Sequence, residues 1–143
     1  MKRYALTFLL TMLAFAAIDS LWIGFVAGPM YRATIGDILL QHFRAGPAVL
    51  FYLLQISGMM VFVVPRIAGR QTVTQNALFG ALYGLFTYGC FDLTCLATIR
   101  GWTPFLAATD IAWGCVLSGA AGAIGIGAAE YVLGSRRQSH TGN

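Results

Sequence analysis

The chain has 143 residues, 58% of them hydrophobic and only 10% charged, with a formal net charge of +4. Soluble domains carry about 25% charged and about 45–50% apolar residues, so a soluble fold of this size could not hide the apolar excess. The nine Lys and Arg residues are scattered over the termini and the connections between apolar runs, which excludes a nucleic-acid footprint, where cations cluster on one face.

Four apolar runs stand at about 4–27, 47–64, 77–99 and 105–133. Each is near or above the ~20 residues a helix needs to cross ~30 Å of hydrocarbon. The expected fold is an all-α integral membrane protein with four transmembrane helices, forming one domain over residues 1–143. The first run follows Lys2-Arg3 and passes Ala14-Phe15-Ala16, a pattern that imitates a secretory signal and its cleavage site. It continues through Leu21, Trp22, Ile23, Phe25 and Val26, so an uncleaved helix is expected.

The first connection, 28–46, is the only long one. In "MYRATIGDILLQHF", Ile35, Ile38, Leu39 and Phe43 fall near helical spacing, which predicts a short amphipathic helix on the outer membrane surface. Gly46-Pro47 then opens the second helix. The third connection is very short: Trp102 suits the interfacial belt, Thr103 can cap and Pro104 can start the fourth helix. Helices three and four are therefore an antiparallel hairpin. Gly134 is expected to end helix four, leaving a mobile tail over 134–143.

Six cations (Lys2, Arg3, Arg66, Arg70, Arg136 and Arg137) fall at the two termini and the second connection, against three (Arg32, Arg44 and Arg100) in the others. That bias predicts both termini on the cytoplasmic side. The three cysteines, Cys90, Cys95 and Cys115, sit inside predicted helices without paired spacing and read as packing residues. Gly80 and Gly84 in helix three, and Gly114, Ser118 and Gly122 in helix four, recur every four residues. Such small faces allow close helix approach in lipid, either within the chain or in a homodimer or larger membrane complex.

Three carboxylates lie inside the predicted spans: Asp19, Asp92 and Asp110. Counting about 1.5 Å per residue from the outer helix ends puts all three roughly 8–10 Å deep. Three helices thus bring a carboxylate to one level. "DSLWIG" and "DIAWG" repeat a second feature, a tryptophan three residues after the aspartate, so Asp19 and Trp22, and Asp110 and Trp113, share helix faces. The hydroxyls of Thr94, Ser20, Thr109, Thr87 and Tyr88 lie near the same depth. Ionised carboxylates held together in low dielectric repel one another, so a cation or shared proton is needed beside them. Arg100 and Arg32 are the candidate cations at the mouth. An ionisable residue in a membrane costs about 2.5 kcal/mol or more on insertion scales and marks a functional site by default; the alternative is a protonated aspartate that bonds hydroxyls or tryptophans across helices and glues the bundle.

The expected ligand-binding set is therefore Asp19, Trp22, Asp92, Thr94, Asp110, Trp113, Arg32 and Arg100. No catalytic residue, metal ligand or cofactor is assigned. His42 and His140 fall outside the spans and nothing has metal-ligand spacing. No phosphate loop or nucleophile elbow appears. Intramembrane aspartyl proteases place their second aspartate after a glycine-x-glycine signature, whereas Thr109 precedes Asp110 here.

The blocks "DSLWIGFVAGPMYRATIGDIL", "PAVLFYLL", "ALFGALYGLFTYGCFDLTCLATIRGW" and "TDIAWG" resemble the bacterial membrane family called domain of unknown function 2177, in the same order from Asp19 to Gly114. The resemblance implies a four-helix protein of the bacterial inner membrane and brings no established activity. The family pattern has tyrosine and asparagine where this chain has Phe91 and Cys95, which puts any ligand contact of that asparagine in doubt. The reading that follows is a protein binding or passing a small ligand, lipid headgroup, cation or proton at an aspartate-lined pocket near the outer leaflet. The alternative is an accessory subunit or assembly factor of a membrane complex.

Overall fold

The computed structural model describes residues 2–63 and 72–141. Helix α1 (Lys2–Trp22) passes through a π-helical turn (Ile23–Ala27) into α2 (Gly28–Ile35), which ends in a 3-10 turn (Gly36–Ile38). Then follow α3 (Ala45–Phe62), α4 (Val73–Thr98) and α5 (Pro104–Thr141). Four stretches are long and apolar enough to cross a membrane: Tyr4–Ile38, Ala45–Phe62, Val73–Thr98 and Pro104–Gly125. The protein is an all-helical membrane protein with four spans.

The first helix does not end at residue 27. It runs on, so the expected amphipathic segment is helical but is no separate surface helix, and helix is lost after Ile38. Gly28-Pro29 reads as a chain break because proline lacks an N–H and its ring crowds the preceding turn. Here the backbone widens instead. The Gly28 N–H bonds to the Ile23 carbonyl, five residues back, and the widened turn makes room for the proline ring. A Cβ at Gly28 would stand 2.7 Å from that same carbonyl oxygen, so glycine is required there. The 35-residue run measures about 50 Å at about 1.5 Å per residue, more than the ~30 Å hydrocarbon core.

Other boundaries shift for local reasons. Helix α4 begins four residues before the expected 77, because Thr72 and Gln75 form a reciprocal capping box. The Gln75 N–H donates to Thr72 Oγ1 at 3.3 Å and the Thr72 N–H donates to Gln75 Oε1 at 3.0 Å. Thr72→Ala should cost about 1 kcal/mol, visible as a lower thermal midpoint in a fixed detergent, and Thr72→Ser should restore it. At α5 the expected cap is present, with the Leu106 N–H donating to Thr103 Oγ1 at 3.2 Å. The turn from α4 to α5 depends on Gly101 at φ +86°, a conformation that strains other residues. Helix α5 continues through Gly134 to Thr141. Arg66 and Arg70, two of the six cations behind the expected topology, lie outside the described residues.

The small-residue faces meet inside the chain. Gly80 faces the backbone of Ser118 and Gly119, and Gly84 faces the Gly114 carbonyl. A Cβ on Gly122 would lie 3.3 Å from Met59 Cε and 3.4 Å from the Asn76 carbonyl oxygen. Gly80, Gly84, Gly114, Ser118 and Gly122 are all buried. The faces expected as a possible dimer or complex surface are thus consumed in packing α4 on α5, where backbone proximity maximises dispersion contact. Helix α1 covers α5 with a face that recurs every four residues, Thr7, Thr11, Phe15 and Asp19, all buried. Phe15, Ile56, Met59, Val63, Leu117 and Ala121 form the core. Leu13, Leu21, Phe25, Leu54, Phe86 and Phe105 point outward, an apolar exterior suited to lipid.

Candidate functional site: an aspartate and aromatic cavity

Asp19 ends the buried face of α1 and is held by two other helices. Trp113 Nε1 of α5 donates to its Oδ1 at 3.0 Å, and the Tyr52 hydroxyl of α3 donates to its Oδ2 at 2.9 Å. Both oxygens therefore have a donor. The indole of Trp113 also stacks on Trp22 of α1, with ring centroids 4.3 Å apart and planes 7° from parallel. The two tryptophans of the repeated motif therefore meet face to face. Trp22 Nε1 is buried with no hydrogen-bond partner.

These side chains form one wall of a cavity of about 390 Å³. Asp19, Trp22, Ile23, Ala27 and Tyr31 line it from the continuous first helix, with Ile23 and Ala27 on the π turn. Phe51 comes from α3, Thr87, Tyr88 and Phe91 from α4, and Asp110 and Trp113 from α5. Among the described residues no Lys or Arg lines it. The cavity presents two carboxylates, Asp19 and Asp110, within six aromatic rings.

Asp110 has the Tyr31 hydroxyl and the Asp92 carboxyl beside it. Asp92 itself is fully buried behind the cavity wall. Neither of its oxygens has a geometrically sound hydrogen bond, and the neighbouring Trp102 indole N–H is unpaired as well. A buried polar group without a partner is costly. Among the described residues, no three His, Cys, Asp or Glu side chains gather closely enough to hold a metal ion.

Of the eight expected site residues, Asp19, Trp22, Asp110 and Trp113 line the cavity and Asp92 adjoins it. Thr94, Arg32 and Arg100 do not line it. Thr94 is exposed and its hydroxyl donates to the Cys90 carbonyl at 2.7 Å. Arg32 is exposed, with its guanidinium turned back toward Gly28. Arg100 is exposed in the α4–α5 turn. Thr87 and Tyr88, two of the hydroxyls expected near this depth, do line the cavity, whereas sequence reasoning missed Tyr31, Phe51, Tyr52 and Phe91. It also missed Gln55, buried against Thr87 of the cavity wall, whose Nε2 donates to Thr87 Oγ1 at 3.2 Å and to Ser118 Oγ at 3.4 Å.

Fold and cavity together define a class: a four-span helical membrane protein with carboxylates buried at one end of its bundle. The particular family follows from comparison. Residues 4–127 match the family model described as predicted membrane protein DUF2177, and the chain belongs to that family. No curated protein and no solved structure matches the chain.

Proposed function

We propose that this protein binds a small cationic ligand, an ammonium group in its simplest form, in the aspartate and aromatic cavity. The observation that carries this reading is the lining itself: Asp19 and Asp110 inside a ring of Trp22, Tyr31, Phe51, Tyr88, Phe91 and Trp113. Carboxylates in low dielectric attract a cation strongly, and aromatic faces add cation–π attraction of about 0.5–2 kcal/mol per good contact. An anion would meet only like charge. Binding, and any release that follows, needs no covalent chemistry. By the charge bias of the sequence, the cavity faces the outer leaflet of a bacterial inner membrane, with both termini cytoplasmic.

The test is titration of purified protein with ethylammonium, read by indole emission from Trp22 and Trp113. Saturable binding is expected, weakened at least tenfold in Asp110→Asn. Tetramethylammonium should compete and acetate should not. Absence of saturable binding by either cation overturns the reading.

A further inference from the structure

We infer that the ligand is an amphiphile taken sideways from the bilayer, its ammonium head in the cavity and its aliphatic chain in a groove between α3 and α4. This rests on the ammonium reading above and adds the class of molecule that carries the head.

The groove has a volume of about 450 Å³ and is lined by Pro47, Leu50, Leu54 and Gln55 of α3 and Tyr83 of α4, together with Phe51 and Thr87. Phe51 and Thr87 also line the aspartate cavity. The two spaces therefore adjoin across one layer of side chains. Leu50 and Leu54 are 56% and 64% exposed, so the groove opens on the side where the protein meets lipid.

The groove exists because α3 leans only lightly on α4, in contrast to the close glycine-mediated packing of α4 on α5. At its cavity end the two helices touch through Phe51 and Tyr88, ring centroids 6.3 Å apart at 81°. Farther along they touch through Phe62 and Tyr83 at 6.5 Å. The groove floor has polar atoms, but these satisfy each other: Gln55 donates to Thr87 and Ser118, and Thr87 can donate to the Tyr83 or Gly84 carbonyl. What remains open to a guest is apolar. A guest chain would replace lipid contacts with protein contacts of similar kind, so the groove positions the molecule while the carboxylates select its head. Asp92, fully buried beside Asp110, adds a third carboxyl next to that head site.

A small free amine would have no use for the groove, and that separates the two readings. Protein in nanodiscs of phosphatidylglycerol, which has no amine, is titrated with ethylammonium and dodecylammonium. The same is done with a groove-filled variant, Leu50→Phe/Leu54→Phe, at two lipid-facing positions outside the cavity. Membrane partitioning of dodecylammonium is common to both proteins and cancels in the ratio. The expected result is at least a tenfold weaker dodecylammonium affinity in the variant with ethylammonium unchanged. Equal affinities for dodecylammonium in the two proteins overturn the inference while leaving the ammonium reading intact. Failure of both ions to bind overturns both. A second measurement needs no variant: wild type equilibrated with equal amounts of phosphatidylethanolamine and phosphatidylglycerol is examined by native mass spectrometry. At least fivefold preferential retention of phosphatidylethanolamine is expected, and equal retention sinks the proposal.

Discussion

Asp92→Asn should stabilise the protein by about 1–3 kcal/mol, and Asp19→Asn should destabilise it by about 1–2 kcal/mol. The substitution is the same and both carboxyls are buried, so the opposite signs come from partners. Asp19 accepts from Trp113 and Tyr52. Asparagine offers one acceptor oxygen in place of two, so either Trp113 loses its acceptor or the Tyr52 hydroxyl must turn to accept. Asp92 is fully buried with only the Trp102 indole and the Asp110 carboxyl beside it, and neither stands in a well-formed hydrogen bond. An amide there can accept from the indole and donate to Asp110, so two orphaned groups gain partners and one carboxyl pair is dissolved. Thermal unfolding of both variants in one detergent reads the comparison. A loss of stability in Asp92→Asn as large as in Asp19→Asn would show that Asp92 holds the bundle together. A gain would show a carboxyl kept at a cost to the fold, as groups kept for function are. Ethylammonium binding by the Asp92→Asn variant then reports whether that function is the cavity's.

The four spans were legible because length and charge scarcity leave few alternatives once each run approaches membrane thickness. The convergence of Asp19 and Asp110 was legible from depth alone, and the two tryptophans from their spacing. What depth cannot supply is facing. Thr94 lies two residues from Asp92, which on a helix points it away, and it turns outward to the Cys90 carbonyl. Pairing was also crossed in space. Trp113 shares a face with Asp110 in sequence but donates to Asp19 across the bundle, because stacking on Trp22 carries its indole toward α1. Tyr31 was hidden by Gly28-Pro29, whose signal for a helix end was overridden by the π turn. Phe51 and Tyr52 carry no signal in a single sequence, since aromatic residues within an apolar run suit core, interface and site equally.

The largest effect is expected at Gly84. A Cβ there would run into the Gly114 carbonyl, with Ser118 Oγ 2.8 Å away. Backbone cannot swing aside as a flexible side chain can, so Gly84→Leu must push α4 off α5 along their whole contact. Overpacking of a core costs about 1–3 kcal/mol when side chains can adjust, and about 3 kcal/mol or more is expected where the obstacle is main chain. That loss is a large share of the 5–15 kcal/mol typical of a folded domain, so the variant should be recovered in low yield and unfold at a markedly lower temperature. Phe86→Leu, two residues on but facing outward, should stay within about 0.5 kcal/mol of wild type. The pair also decides between two uses of the glycine face. If that face packs α4 on α5 within one chain, Gly84→Leu loses stability with no change in oligomeric mass by light scattering. If it were an interface between copies, the same variant would yield a stable protein of lower mass. The second result would return the glycine faces to an intermolecular role and would mean that α4 and α5 separate in the assembled protein.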